Sequence, residues 1–405
     1  MGTDTIQKIV LISLSTPTPN NVRAASALPY HLIKAHWDSG SHFFVYSFNI
    51  NDIELCKVKE IEAELGISIC ILPRPKWMLL MMRLKLLVLR LLLRSPLATY
   101  HRLSASVVQA IKAEKPDVVW IYGEEIAWLA KQFNDFRCVV TMPDCESLFY
   151  HRLLGKRFAV GNCFQVMKSA YAYYQYLHME RNMLVKGVRY HFVGMEDARF
   201  FRKMNPKAEV LFLPHPLYDY RNKNIRFHHP RIKLLIAGRN DFYMTEEVEE
   251  LFSVLSKIDY SCLEGQSLLK YFEWTFLGKG WENIVEKLLQ LGFDARHIKF
   301  APDYIEELQR HDIQITPISV GTGTKGKVLD AIANGLLEIG TIGALENIAV
   351  EDGVSCIIYQ NANELIKILK DISQNPKRYE EMARLGMVSV RQSHDRVYIA
   401  RKLFS

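Results

Sequence analysis

Gly321-Thr322-Gly323-Thr324-Lys325-Gly326-Lys327-Val328-Leu329-Asp330-Ala331-Ile332-Ala333-Asn334-Gly335 is the stretch that decides how this chain is read. The apolar run 313–318 before it reads as a buried strand. The stretch itself opens a helix that Gly335 closes. A Gly- and Thr-rich turn between strand and helix presents backbone N–H groups at the positive end of the helix dipole. Two lysines stand in the same turn, so Gly323, Thr324, Lys325 and Lys327 supply the chemistry needed to hold a diphosphate. Asp330 falls just inside the helix. It can accept hydrogen bonds from two vicinal ribose hydroxyls, or serve simply as a favourable acid in a first helical turn. The spacing is neither G-x-x-x-x-G-K-[ST] nor a G-x-G-x-x-G beside the first strand, which argues against a Walker loop and a dinucleotide dehydrogenase.

Around this turn the chain alternates short apolar runs with helical patterns. Strands are expected at 8–14, 42–48, 67–72, 118–122, 137–142, 190–193 and 210–213, with helices at 23–36, 107–113, 126–133 and 164–183 among them. The pattern restarts with strands at 233–237, 274–277, 298–300, 313–318, 337–340 and 356–359, and helices between and after them. Such alternation predicts an α/β fold of two doubly wound, Rossmann-like domains built on parallel sheets. The Pro- and Asn-rich segment Pro214-His215-Pro216-Leu217-Tyr218-Asp219-Tyr220-Arg221-Asn222 is the expected linker. The domains are therefore set at 1–220 and 221–385, with a C-terminal helix in 386–405 returning to the first. Two such sheets facing one cleft suit a two-substrate reaction, with closure excluding water.

Composition limits the function classes. The chain has 405 residues, 49% hydrophobic and 23% charged, with a net charge of +7. That is ordinary for a soluble globular protein of two domains whose partner is anionic. No Lys/Arg block interleaved with aromatics argues for nucleic acid. The seven cysteines are scattered without a C-x-x-C pair, which fits a reducing compartment and no structural metal. The first residues lack a signal-peptide pattern.

The stretch 321–341 with Gly343-Ala344-Leu345-Glu346-Asn347-Ile348 resembles the donor-site motif of GT-B glycosyltransferases, and most closely the family 4 (group 1) bacterial polysaccharide enzymes. The resemblance extends loosely over both halves. It implies that Lys325 and Lys327 bind the diphosphate of a nucleotide sugar of UDP or GDP type and that Asp330 holds its ribose. Three positions depart from the pattern. The first acid of the family's E-x7-E pair is Thr322; the usual Pro-Val is Leu337-Glu338, with Glu338 expected to face the cleft or a solvated edge; and the loop Ser15-Thr16-Pro17-Thr18-Pro19-Asn20-Asn21 has no glycine.

Other site residues follow from position at strand ends. Arg239 and Lys279 would aim positive charge at the phosphates, or stand as solvated loop cations. The loop Ala301-Pro302-Asp303-Tyr304 resembles the seat of the base. In the first half, Glu124 and Asp144 are the candidate catalytic carboxylates, able to polarise an acceptor hydroxyl; Asp144 would equally suit a helix N-cap. A His is usual where this chain has Gly123-Glu124-Glu125, and that departure from the pattern favours a carboxylate-based mechanism. No Asp-x-Asp stands at a strand end, and a metal-independent reaction with no further cofactor is expected.

The segment 76–94 carries Lys76, Arg83, Lys85, Arg90 and Arg94 among Trp77 and leucines, and no carboxylate occurs between Glu64 and Glu114. A spanning helix would hold cations near mid-bilayer at roughly 2.5–3.5 kcal/mol each. A helix lying on an anionic surface gains about 1 kcal/mol per cation instead; a helix packed on the sheet is the other alternative. The whole reads as a glycosyltransferase, peripheral to the inner face of the cell membrane, acting on a lipid-linked or polysaccharide glycan. A sugar-nucleotide epimerase of the same fold and a non-catalytic, membrane-associated glycan-binding protein are the alternatives.

Overall fold

The computed structural model describes residues 7–37, 40–84, 86–222 and 224–405. The chain divides into two compact units, Met1–Pro216 with Arg396–Ser405, and Leu217–Asp395. The first holds seven strands: β1 (Lys8–Ser13), β2 (His42–Ser47), β3 (Ser68–Ile71), β4 (Val118–Tyr122), β5 (Arg137–Met142), β6 (Val188–Phe192) and β7 (Glu209–Phe212). They run parallel in the order β3-β2-β1-β4-β5-β6-β7. The second holds β8 (Ile232–Ala237), β9 (Phe272–Leu277), β10 (Asp294–Ile298), β11 (Ile313–Thr316), β12 (Leu337–Gly340) and β13 (Ile357–Ile358), parallel in the order β10-β9-β8-β11-β12-β13.

Central strands are covered by helices on both faces, so their residues are buried almost without break. All five residues of β4 and all four of β11 are buried. In each sheet the strand order reverses at one point, between β1 and β4 and between β8 and β11. At such a switch point the loops leaving the two carboxyl ends diverge and open a crevice.

Several elements differ from expectation for identifiable reasons. β10 starts at Asp294, before the expected 298, because it is an edge strand with exposed Asp294 and Arg296 alternating with buried Ala295. The first helix begins at Ala27, since Asn21 Oδ1 accepts the Ser26 and Ala27 amides at 3.0 and 2.9 Å and holds the chain in a loop until then. Pro376–Ser393 is one helix of the second unit, so the segment returning to the first unit is Arg396–Phe404 rather than all of 386–405. There Phe404 meets Trp120 and Phe43 at ring distances of 5.0 and 5.6 Å, and Ile399 and Leu403 are wholly buried beside it. Each such side chain contributes about 1.5–3 kcal/mol.

Segment 76–94 is not one helix. An α-helix spans Lys76–Arg83 and a 3-10 helix Leu87–Leu92. Beyond it, Pro96 disfavours helical geometry at Ser95, and side chains of a distant helix take the orphaned carbonyls. Tyr171 Oη donates to Leu91 O and Leu93 O at 2.8 and 2.7 Å, and Gln175 Nε2 to Leu93 O at 2.7 Å. The single helix expected to lie on an anionic surface is thus interrupted at Leu84. Met78 and Met81 are buried, whereas Trp77, Leu80, Leu84, Leu89 and Leu92 are exposed, so the segment does not pack its apolar face on the sheet. Arg83, Arg90 and Arg94 are exposed too; Lys85 lies outside the described residues.

Candidate functional site

In the second unit, β9, β8 and β11 are neighbours, and the loops at their carboxyl ends carry Lys279, Arg239 and the 321–327 turn respectively. Backbone rungs continue past the strands: Gly238 N donates to Leu277 O at 2.9 Å and Asn240 N to Lys279 O at 2.9 Å. The approach is close enough that a Cβ on Gly278, whose φ is +134°, would lie 2.0 Å from Gly238 O. The loop after β8 also meets the loop after β11, through Ser319 N to Tyr243 O at 2.9 Å. Arg239 and Lys279 are exposed on this rim.

The turn after β11 is braced from within. Lys325 Nζ donates to the carbonyls of Thr322 and Gly323, and Asn347 Nδ2 donates to Gly323 O at 3.1 Å. A side chain at position 321 would press on Lys325, since a Cβ there lies 3.1 Å from Nζ. The helix that follows, Gly326–Ala333, starts at Lys325 with no side-chain cap, which leaves its positive end to other partners. Lys327, exposed at the first turn, holds Nζ 5.8 Å from the Tyr304 ring centroid. Desolvation lowers its pKa, against the pull of the Asp330 and Asp241 carboxylates. Asp330 is pushed up to about 7 by burial, with Lys327 opposing and Asp219 adding to the rise. Thr324, Gly323, Lys325, Lys327, Asp330 and Tyr304 are therefore gathered at one carboxyl-end site, beside the switch point.

Beneath this site lies a polar track that the sequence did not signal. Glu338 is wholly buried on β12, which corrects the expectation that it faces a cleft or a solvated edge. It pairs in register with Gln314 on β11. Gln314 Nε2 donates to Glu338 Oε2 at 3.2 Å, to Thr316 Oγ1 at 3.2 Å and to Lys327 O at 3.4 Å, while Tyr304 Oη donates to Gln314 Oε1 at 3.3 Å. Burial raises the Glu338 carboxyl well above its usual range, and its Oε1 has no hydrogen-bond partner among the described residues. The track connects the sheet interior to the first turn of the helix and to the ring under Lys327.

In the first unit the loops after β4 and β5 carry carboxylates. Glu124 opens the 3-10 helix Glu124–Phe133, and Glu146 opens the helix Glu146–Val160. Burial, then Glu125, Glu146 and Asp144, raise Glu124 far above the carboxylate range. Glu146 is pushed up to about 8 by burial and then by Asp144, Glu125, Glu180 and Asp197. So Glu124 and Asp144 do come together, and Glu125 and Glu146 join them. Cys145, not Asp144, stands at the N-cap position, and no side chain caps that helix. Two buried acids frame the turn: Asp197 Oδ1 accepts Cys145 N at 2.9 Å, and Glu180 accepts Ser147 N at 3.1 Å and the Ser147 hydroxyl. Glu180 is itself raised to about 7, by burial first. Tyr150 and Tyr176 stack at 5.2 Å, and burial first, then Glu125, Glu146 and Glu124, raise the Tyr176 hydroxyl. Like charges crowded in a largely buried site bind protons tightly, so this turn is built to take up and hold a proton.

No protein-family profile matches the chain, and no curated protein matches it by sequence. Solved structures do. The chain is similar to HepE of Anabaena, determined in complex with UDP and glucose, at 13% identity and a TM-score of 0.61 with 98% of each chain covered. It is similar to sucrose-phosphate synthase from Thermosynechococcus elongatus at 15% identity and a TM-score of 0.63, over 98% of this chain and 97% of that one. It is also similar to WaaG, a glycosyltransferase involved in lipopolysaccharide biosynthesis, at 14% identity and a TM-score of 0.58 over 98% of each. At such identities the likeness is one of fold: the chain has the GT-B fold of two Rossmann-like α/β domains.

Proposed function

We propose that this protein is a glycosyltransferase that moves a sugar from a nucleotide-diphosphate donor to a glycan acceptor. The observation that carries the reading is the uncapped helix start at Lys325, with Lys327 in its first turn, at the switch point of the second unit's sheet. The amides and both ammonium groups neutralise a diphosphate, and neutralisation counts most when that diphosphate becomes the leaving group. Asp330 takes the ribose hydroxyls, Tyr304 the base side, and Arg239 and Lys279 the outer charge of the donor. The GT-B likeness to a protein crystallised with UDP supports a donor of UDP or GDP type.

The acceptor is placed on the first unit, where its hydroxyl gives up a proton to the Glu124–Asp144 carboxylates with Glu146 beside them. A carboxyl whose proton affinity is raised toward neutral pH is a better base than an ordinary one. With the lysines neutralising the leaving group, the reaction needs no metal in this reading. Among the described residues no helix is long and apolar enough to cross a membrane. The exposed apolar surface and cations of 76–94 support peripheral docking on the anionic inner face of the cell membrane, and hence a lipid-linked acceptor.

The test is calorimetric titration with UDP and GDP, followed by donor hydrolysis across a panel of nucleotide sugars in the presence of EDTA. Micromolar binding of one nucleotide and its loss in Lys327→Ala are the expected results. No binding of either by the intact protein would refute the assignment.

A further inference from the structure

We infer that the tip of the helical hairpin 146–182 is a second membrane-inserting element, and that it forms one docking surface with segment 76–94 for a bilayer with anionic headgroups. The inference rests on the membrane reading above and adds to it a separate part of the chain.

The hairpin consists of Glu146–Val160 and Cys163–Asn182, joined at Gly161-Asn162. Its tip is tied together by its own bonds. Asn162 Oδ1 accepts Gln165 N at 3.0 Å, Gln165 Oε1 accepts Asn162 N at 3.4 Å, and Arg157 Nη1 donates to Gln165 Oε1 at 2.6 Å. Yet the large apolar side chains on this pinned backbone face solvent: Phe158 is 70% exposed, Phe164 75% and Met167 65%. A bonded helix start that shows two phenylalanines to water is a surface made for another phase.

The sequence around the tip has the same bias as 76–94. Between Glu146 and Glu180 there is no Asp or Glu, but there are Arg152, Lys156, Arg157 and Lys168. Protein interfaces are depleted of charge at their centres, whereas cations beside exposed aromatic and aliphatic side chains match the boundary between headgroups and acyl chains. The two acid-free stretches are also fastened together. Phe164, Met167, Tyr171 and Gln175 follow the i, i+3, i+7, i+11 spacing of one helical stripe. Tyr171 and Gln175 are the residues that hold the carbonyls of Leu91 and Leu93. The stripe that binds 76–94 therefore runs on, about 10 Å further along the helix, to the bare apolar tip. Leu92, 79% exposed, stands beside the fastening point.

Cys163 at the tip is exposed and allows a direct test. The exposed Cys56, Cys70 and Cys262 are replaced by serine, and Cys163 carries an environment-sensitive fluorophore. With vesicles containing phosphatidylglycerol the emission should shift to the blue and be quenched by a lipid-borne quencher. With phosphatidylcholine alone it should not move. Phe158→Ser with Phe164→Ser should lower partitioning of the full chain onto the anionic vesicles at least tenfold, with nucleotide binding unchanged. If the unlabelled protein floats with anionic vesicles while the probe stays water-like, the inference falls and docking by 76–94 stands. If nothing floats, both fall. Concentration-dependent self-association abolished by the same two substitutions, with flotation intact, would assign the tip to a second copy of the chain and overturn the inference.

Discussion

The turn after β11 and the turn after β5 do the same structural job. Each leads a buried parallel strand into a helix, across residues 317–325 after β11 and 143–145 after β5, and neither helix start has a side-chain cap. Their chemistry is opposite. The β11 turn places Lys325 and Lys327 at the positive end of its helix, while the β5 turn places Asp144 and Glu146 there with Glu124, Glu125, Glu180 and Asp197 close by. Positive charge added to a positive helix end attracts anions. Carboxylates crowded at such an end still lose to one another and to burial, and the result is raised proton affinity rather than anion binding. One scaffold thus supports two tasks, a seat for a leaving diphosphate and a sink for a proton, and the contrast can be broken by exchanging charge on either side.

The largest effect is expected on the acidic side. Asp144→Asn should lower kcat by about a hundredfold or more, in the range general-base loss produces, with the dissociation constant for nucleotide unchanged. If nucleotide affinity falls instead, the division of labour between the two turns is wrong. Next, Glu338→Ala removes one of the three acceptors around the Gln314 amide and empties a wholly buried position of the track, at about 1–3 kcal/mol of stability read from denaturant midpoints. Glu338→Gln keeps an acceptor oxygen and should restore most of that loss. Equal destabilisation by both would mean that the carboxyl group itself, rather than packing or the retained acceptor oxygen, carries the contribution.

On the basic side, Lys327→Ala should weaken nucleotide binding by about 1.4 kcal/mol, roughly tenfold, while leaving the melting temperature within a few degrees. An unchanged dissociation constant would leave the β11 turn as an ordinary connection.

How far these sites can be read from sequence depends on how local their parts are. Three Gly, two Thr and two Lys within 321–327 announce themselves after an apolar run. Central strands such as β4, buried on both faces, show as unbroken apolar segments. Edge strand β10 alternates and was expected four residues late. Glu338 looked like a stray charge because its partner Gln314 is brought alongside only by sheet register. Glu180 and Asp197 reach Ser147 and Cys145 from 33 and 52 residues away, a separation that no spacing rule reveals. The carbonyls at the far end of 76–94 are met just as remotely, by hydrogen bonds donated from Tyr171 and Gln175.

The smallest effect sharpens the comparison through pH. The Glu146 carboxyl rises from an ordinary 4.5 to about 8 in the folded chain, through burial first and its acidic neighbours second. Between those two values the folded state holds a proton that the unfolded state has released. Stability must then fall as pH rises from about 4.5 to about 8, and level off above it. Because Glu146 is half-buried and screened by solvent, the change attributable to it should be on the order of 1 kcal/mol. Glu146→Gln, which cannot ionise, should flatten that slope when melting is followed from pH 5 to pH 8, and the flattening should appear in the free protein. A slope identical to that of the unaltered chain would show that the proton is held elsewhere in the cluster, with Glu124 and Glu180 the remaining carriers.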